Sequence, residues 1–212
     1  MKDTLADKTY KALVGRYGPA ACTLDGHEDP WRLIVGAILA AQCTDARVNR
    51  TTPGLFARYP SIESFATADT ADIEPLIRSC GLFRTKARAI RGSAAVLVER
   101  FGGRVPDRME ELLTLPGIGR KIANLVLGDG FGIPGVVVDT HCARIARRIG
   151  LTDSEDPARI ERDLRERFPP ERWIAIGHLM VAHGRDLCPA LRPRCRECPL
   201  QGFCRHAAGA DE

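Results

Sequence analysis

Apolar residues recur at helical spacing along most of the chain, and stretches in which apolar and polar residues alternate are hard to find. Spacings of three and four residues place apolar side chains on one face of an α-helix, whereas strict alternation would indicate a β-strand. The pattern therefore predicts an all-α protein.

Residues that cap or break helices divide this pattern into separate elements. Asp29-Pro30 predicts an N-cap followed by proline at the first helical position, opening a helix that runs to about Gln42. A longer amphipathic helix is predicted from Thr85 to Phe101, where Gly102-Gly103 ends it. Further helices are predicted at residues 107–114, with Asp107 as the cap, and at residues 140–149, 156–168 and 172–184.

The segment Gly130-Phe-Gly-Ile-Pro-Gly135 is rich in turn-forming residues and precedes the apolar run Val136-Val-Val138. It is the best candidate for a domain boundary. At the C-terminus, we expect residues 207–212 to be disordered, because chain termini with few apolar residues seldom pack.

The bulk composition is that of an ordinary globular protein, with 44% apolar and 27% charged residues in 212. Its longest apolar runs, such as Leu33 to Ala41, are far shorter than the roughly 20 residues that span a bilayer. The charged start Met1-Lys-Asp lacks a signal-peptide apolar region, so we expect a cytoplasmic protein, nucleoid-associated if bacterial, without a membrane partner. A net charge of +4 permits a polyanionic partner without requiring one.

A glycine-rich turn, Leu115-Pro-Gly-Ile-Gly119, lies between two predicted helical segments. Gly117 and Gly119 let the backbone turn sharply while their amide groups stay unshielded by side chains, and such a turn before a helix N-terminus can hold a phosphate. An ordinary helix-helix turn would show the same pattern. The turn by itself therefore leaves both interpretations open.

Lys121 falls in the first turn of the helix after this hairpin, where a cation opposes the helix dipole. That placement favours a neutral amine, the form that attacks carbon. Asp139 follows a buried apolar run and precedes a helix, so we expect it to be an N-cap. A capping carboxylate is held ionised and in one direction, which is also what stabilises positive charge developing on a sugar.

Four of the eight cysteines are gathered in the tail, where six, two and five residues separate Cys188, Cys195, Cys198 and Cys204. This spacing predicts one metal centre, and it accommodates structural zinc and an iron–sulfur cluster equally. A disulfide pair is a more distant alternative in a cytoplasmic protein. Arg192 and Arg194 lie between the first two cysteines, on a loop that the metal would tether near phosphates.

Several of these segments together resemble the endonuclease III family of helix-hairpin-helix DNA glycosylases. The resemblance extends over nearly the whole chain and rests on Leu115-Pro-Gly-Ile-Gly-Arg-Lys-Ile-Ala-Asn124, Val138-Asp-Thr-His141, His183-Gly-Arg185, the cysteine tail and two shorter motifs, Ala41-Gln-Cys-Thr-Asp45 and Gly81-Leu-Phe-Arg-Thr-Lys86.

This resemblance implies the helix-hairpin-helix DNA glycosylase fold. Residues 22–133 would form a six-helix barrel domain that contains the hairpin. Residues 1–21 and 134–212 would form a discontinuous helical domain with a C-terminal [4Fe-4S] cluster on Cys188, Cys195, Cys198 and Cys204, and the DNA cleft would lie between the two lobes. The partner implied is double-stranded DNA with a damaged base or an abasic site, bound by a monomer.

The resemblance also assigns roles to single residues. It makes Lys121 the Schiff-base nucleophile, Asp139 the catalytic carboxylate, Gln42 the residue that fills the gap left by the flipped base, and Leu82 a wedge in the opposite strand. A base inside a duplex must be swung out before it can react, which these insertions would assist. The further residues that we assign to DNA binding are Gly117, Gly119, Arg120, His141, Arg144, Arg192 and Arg194.

The implied activity is base excision repair of oxidised or ring-saturated pyrimidines, with strand cleavage by β-elimination. Ala40 stands where the family has serine and Leu113 where an acidic residue is common, so we expect base preference to depend on these positions. A monofunctional adenine or mismatch glycosylase generally lacks a lysine at position 121. A non-catalytic DNA-binding module with a structural metal would not need Lys121 and Asp139 together.

Overall fold

The computed structural model describes residues 5–209. The charged start at residues 1–4 and the last three residues of the predicted disordered tail lie outside the described residues. The predicted all-α class is confirmed, since the described residues contain helices and no strand. The α-helices of residues 5–209 are α1 (Leu5–Tyr17), α2 (Pro30–Leu39), α3 (Asp45–Arg58), α4 (Ile62–Thr67), α5 (Thr70–Ile77), α6 (Phe83–Phe101), α7 (Met109–Leu112), α8 (Arg120–Leu125), α9 (Thr140–Ile149), α10 (Pro157–Arg167), α11 (Trp173–Asp186) and α12 (Arg205–Ala208).

The chain forms two compact units. The central unit runs from Cys22 to Ile133, and the terminal unit combines the residues up to Ala21 with those from Pro134 onward. Each unit buries its own apolar side chains, so each is described separately below. No helix within residues 5–209 is long and apolar enough to cross a membrane.

Helix α2 begins as the sequence predicts but ends earlier. The Asp29 carboxylate accepts hydrogen bonds from the amides of Trp31 (2.9 Å) and Arg32 (3.2 Å), and Pro30 occupies the first helical position. The helix stops at Leu39 and not at Gln42, because Gln42 adopts a left-handed backbone with φ of 53°. An α-helix cannot continue through that conformation.

Helix α6 is the longest element of the central unit and packs against α4 and α5. Ala87, Ile90, Ala94 and Leu97 recur at helical spacing on it and are fully buried. It begins at Phe83, two residues before the predicted start, and ends at Phe101, followed by Gly102, which has φ of 61° as expected of a glycine C-cap.

Two predicted boundaries are wrong. The short helix α7 has Arg108 at its N-cap position and no side-chain capping bond, so Asp107 does not cap it. Residues 207–209 were expected to be disordered, but Ala207 and Ala208 belong to α12, which packs against α9. The Arg205 guanidinium holds this last helix by donating to the Arg147 carbonyl (2.8 Å), a contact that local sequence does not reveal.

The terminal unit is built around α9 and α11, with α1 against α11 and α10 against α9. Each of these four helices contributes fully buried side chains to one core, and cysteines of the tail pack against the same core. Examples are Leu13 of α1, Ile145 of α9, Leu164 of α10 and Met180 of α11. The cysteine tail is therefore part of this core and not a separate appendage.

Candidate functional site

The hairpin of the central unit rests on one face of α6. The Ser93 hydroxyl donates to the Pro116 carbonyl (2.7 Å), and a Cβ added to Gly92 would lie 3.2 Å from Pro116 Cγ. Gly117 has φ of 80°, and a Cβ there would lie 2.8 Å from Ala89 Cβ. The turn thus needs glycine both for its left-handed backbone and for its close approach to the helix.

The surface of the hairpin is open where Lys121 projects. Gly117, Gly119, Arg120 and Lys121 are all exposed, and a Cβ added to Gly119 would meet no atom within 4 Å. Gly119 is the N-cap of α8, and Lys121 is the second residue of that helix. The structure therefore presents the lysine beside the two glycines on the same exposed turn.

Three non-glycine residues within residues 5–209 adopt a left-handed backbone, and all three are among the residues predicted to contact DNA. They are Gln42 (φ 53°), Leu82 (φ 46°) and Arg192 (φ 53°). Such a conformation costs about 1–3 kcal/mol for a residue with a side chain and is concentrated at functional sites. Leu82 is also 55% exposed, so its apolar side chain is accessible to a partner.

The two departures from the family pattern lie at helix ends in the same unit. Ala40 is the half-buried C-cap of α2, two residues before Gln42, and Leu113 is the exposed C-cap of α7, shortly before the hairpin. Neither side chain offers a hydrogen-bonding group. Their influence on base preference stays a prediction.

Asp139 is the N-cap of α9. Its Oδ1 accepts a hydrogen bond from the Cys142 amide (2.7 Å), and its carbonyl accepts one from Ala143 (2.9 Å). The predicted capping role is confirmed. The preceding residues, Val136 to Val138, are buried, so the half-buried carboxylate starts from a fixed backbone.

His141, in the first turn of α9, contacts Arg144 one turn later. Its Nδ1 lies 3.1 Å from Arg144 Nη2, which also donates to the carbonyls of Gly184 (3.1 Å) and Cys188 (3.0 Å). Burial lowers the pKa of His141. A Cβ on Gly184 would lie 2.8 Å from His141 Nδ1, which explains the glycine in the His183-Gly-Arg185 motif. Arg144 therefore ties α9 to α11 and to the start of the cysteine tail.

The four tail cysteines line one cavity, together with His183 and Arg148 among others. Arg148 Nη1 donates to the Cys188 sulfur (3.2 Å), and the Leu200 amide donates to the Cys198 sulfur (3.4 Å). His183 Nε2 lies 3.5 Å from the same Cys198 sulfur, and burial lowers the pKa of His183 to about 4. Nitrogen donors thus already face two of the sulfurs.

No three metal-ligating side chains among the described residues converge on the position of a single ion. Four-cysteine zinc needs sulfurs about 2.3 Å from one centre. In a [4Fe-4S] cluster each cysteine binds a different iron, so the sulfurs surround a wider cavity. Cys188, Cys195, Cys198 and Cys204 line one cavity, so all four sulfurs face the same space, as either kind of centre requires.

The two tail arginines differ in their surroundings. Arg194 donates to the Asp186 carboxylate (2.9 Å) and carbonyl (2.8 Å), and it lies 3.4 Å from the Glu197 carboxylate. Arg192 is exposed and left-handed, and its side chain has no hydrogen-bonding or ionic partner within residues 5–209. Arg192 is therefore available to an external anion, while Arg194 braces the loop.

Sequence reasoning gave no individual role to three side chains that the structure brings to these segments: Lys86, Arg148 and His183. Lys86 lies on the apolar face of α6, where a charged residue is a signal of an internal partner. Arg148 lies one turn after Arg144 on α9. The partners of all three are distant in sequence, so local pattern could not identify them.

Comparison with known proteins places these features in a family. The family model described as HhH-GPD superfamily base excision DNA repair protein matches residues 35–170. Endonuclease III of Synechocystis sp. is 50% identical over 192 residues, which cover 90% of this chain and 87% of that protein.

Two solved structures are also similar, each at 36% sequence identity. A non-covalent endonuclease III–DNA complex has a TM-score of 0.90 and covers 98% of both chains. A trapped endonuclease III–DNA covalent intermediate has a TM-score of 0.91 and covers 99% of both chains. The chain therefore belongs to the endonuclease III family, base excision DNA repair enzymes of the HhH-GPD superfamily that act as DNA glycosylases and abasic-site lyases.

Proposed function

We propose that this chain, as a monomer, removes oxidised pyrimidines from double-stranded DNA and cuts the strand through a Schiff base on Lys121. The observation that carries the proposal is the placement of Lys121, exposed in the first turn of α8 directly after a phosphate-binding type of hairpin. Among similar structures, one is a trapped covalent intermediate of an endonuclease III with DNA.

The hairpin binds the phosphate backbone of the DNA. Gly117 and Gly119 leave their amides accessible, and Arg120 adds a positive charge beside them. Phosphate contacts of this kind fix position without reading sequence. The DNA strand that carries the lesion is thereby held where Lys121 reaches its sugar.

Gln42 and Leu82 are the residues that enter the duplex. Turning a base out of the stack costs a few kcal/mol, which inserted side chains offset in part. Leu82 is an exposed apolar side chain suited to a place between stacked bases, and Gln42 carries both hydrogen-bond donors and acceptors for an unpaired partner base. Their left-handed backbones are the strained geometry from which insertion starts.

The chemical steps centre on Lys121 Nζ. The neutral amine bonds to C1′ of the sugar while the N-glycosidic bond breaks. The electron pair of the broken bond leaves with the base, which takes up a proton. A proton then moves from Nζ to the ring oxygen O4′ as the C1′–O4′ bond breaks, which gives a protonated imine between Nζ and C1′. Removal of a proton from C2′ then expels the 3′ phosphate, and hydrolysis of the imine frees the lysine.

Asp139 supplies the negative charge in this scheme. Positive charge builds on the sugar as the base departs, and a fixed carboxylate stabilises it without reorganising. The 2.7 Å bond from the Cys142 amide to Oδ1 sets the direction of the side chain and leaves Oδ2 for the substrate. The cap and the catalytic role are therefore compatible.

We assign Cys188, Cys195, Cys198 and Cys204 as the ligands of a [4Fe-4S] cluster. When bound, the cluster supplies four iron–thiolate bonds that cross-link the tail. The chain's own contribution is the donor set around the sulfurs and the loop that carries Arg192. Cytoplasmic location belongs to the proposal, because cysteines remain reduced there.

The test is borohydride trapping on duplex DNA that contains thymine glycol. Wild-type protein and Lys11→Ala, which removes an exposed lysine of α1, are expected to form a covalent adduct, and Lys121→Ala is expected to form none. Base release without an adduct would identify a monofunctional glycosylase. Binding with neither base release nor an adduct would identify a non-catalytic module, and an adduct that persists in Lys121→Ala would rule out the assigned nucleophile.

A further inference from the structure

One buried lysine joins the two segments that carry Gln42 and Leu82. Lys86 is only 3% exposed, and its Nζ donates to the carbonyls of Leu39 (2.8 Å), Ala41 (2.7 Å) and Cys80 (2.8 Å). An ammonium group has three N–H donors and no acceptor. All three donors are thus used on backbone carbonyls that precede the two left-handed residues.

The position of these carbonyls explains why a cation sits there. Leu39 ends α2 and Ala41 lies in the turn that follows, while Cys80 ends a 3-10 turn at Arg78–Cys80. The last carbonyls of a helix lack intrahelical partners and carry partial negative charge. Lys86 therefore donates hydrogen bonds to carbonyls at the ends of two helices. Burial lowers the pKa of Lys86, whereas these carbonyls favour the charged ammonium form.

Both left-handed residues lie one or two positions after a carbonyl that accepts a hydrogen bond from Lys86. Ala41 immediately precedes Gln42, and Cys80 is separated from Leu82 by Gly81, which also has a positive φ of 68°. The Lys86 amide in turn donates to the Leu82 carbonyl (3.0 Å). Left-handed backbones persist only where the surroundings over-determine them, and Lys86 contributes to both.

We propose that Lys86 is a positioning residue that holds Gln42 and Leu82 in the geometry from which they enter the duplex, and so controls base extrusion. The inference rests on the proposed function, because it gives those two residues their role. Lys86 itself is buried and does not touch DNA. It acts through the backbone of the two segments.

The test compares Lys86→Met with Arg100→Met. Methionine keeps a long unbranched stem without the ammonium, and Arg100 is an exposed cation near the end of the same helix, so both variants lose one positive charge. Extrusion is read by the fluorescence of 2-aminopurine placed beside the lesion, in a Lys121→Ala background that blocks imine formation. Melting temperature and circular dichroism establish that each variant is folded at the assay temperature.

We expect Lys86→Met to lose most of the extrusion signal at saturating protein, and Arg100→Met to keep it. In the background with Lys121 intact, Lys86→Met should slow single-turnover base release by about tenfold or more, and strand cleavage at a preformed abasic site by less. An undiminished fluorescence signal in folded Lys86→Met would overturn the inference. Equal reductions in the rate of base release and in the rate of cleavage at a preformed abasic site would also overturn it.

If Lys86→Met does not fold, Lys86→Arg answers the same question. Arginine keeps the charge, but its planar fork cannot direct three donors from one point to three carbonyls. A folded Lys86→Arg variant with a reduced extrusion signal supports the positioning role of Lys86, and one with a normal signal contradicts it. The fluorescence reports base extrusion and not cleavage, so it remains decisive even when wild-type protein gives no borohydride adduct, the outcome that refutes the proposed function.

Discussion

Gly117 approaches Ala89 so closely that a Cβ added to the glycine would lie 2.8 Å from the alanine Cβ. The hairpin therefore fits against α6 only while position 117 lacks a side chain. Gly119, two residues on, meets nothing within 4 Å and has an ordinary φ of −99°. The two glycines are thus required for different reasons.

This difference predicts different outcomes for alanine at each position. Gly117→Ala should destabilise the protein by about 1–3 kcal/mol, because it adds a clash to a left-handed backbone. Gly119→Ala should cost less than about 1 kcal/mol as an N-cap change, while weakening DNA binding where the backbone amide meets phosphate. Urea unfolding and DNA titration measure the two effects. Equal destabilisation by both variants would contradict the packing argument.

Asp139 allows charge and capping to be separated. Asparagine caps helices as well as aspartate does, so Asp139→Asn should leave the melting temperature nearly unchanged and lower base release by about 10²-fold or more. Asp139→Ala should show the same loss of rate and also a loss of about 1 kcal/mol in stability, because the Cys142 amide loses its acceptor. Normal base release by Asp139→Asn would remove the carboxylate from the mechanism.

Leu82 allows strain and insertion to be separated. Leu82→Gly relieves a left-handed backbone that costs about 1–3 kcal/mol, whereas Leu82→Ala retains it. Both variants lose the apolar wedge, so both should slow base release by a similar factor, and the glycine variant should be the more stable in thermal unfolding. A large difference in rate between the two would show that backbone geometry at this position, and not the side chain, limits base extrusion.

Arg192 and Arg194 should differ in the salt dependence of DNA binding. Each phosphate contact contributes about 0.9 to the slope of log K against log salt for duplex DNA, so Arg192→Ala should reduce the slope by about 1. Arg194 is paired with Asp186 and Glu197, and Arg194→Ala should change the slope less. Its exposed ion pairs are worth less than about 1 kcal/mol of stability. The reverse order of slopes would assign the phosphate contact to Arg194.

The cysteine tail predicts iron in the purified protein. Elemental analysis should find about four irons with acid-labile sulfide per chain, visible absorbance and a brown colour. Cys198→Ser should lose iron and stability, while Cys43→Ser, a half-buried cysteine of the central unit, should retain both. One zinc per chain without iron would contradict the cluster assignment and identify the tail as a structural zinc site, which the cysteine spacing also allows.

Several features could be predicted from short-range sequence because short-range physics sets them. The Asp29 cap, the Asp139 cap and the end of α6 at Gly102 each depend on residues within one helical turn. The hairpin glycines and the spacing of the tail cysteines are equally local. The resemblance to the endonuclease III family, which these motifs carry, is confirmed.

Other features depended on contacts between distant parts of the chain. The Leu39 carbonyl at the end of α2 and the Ala41 carbonyl in the turn after it meet the ammonium of Lys86, more than forty residues later in sequence. The difference between Arg192 and Arg194 depends on where Asp186 lies, and residues 207–208 are helical in an α12 that packs against α9. The sequence by itself determined which chemical groups are present and where helices start. Only the tertiary structure decided which cations are buried, paired or free, because burial and pairing depend on partners that folding brings together.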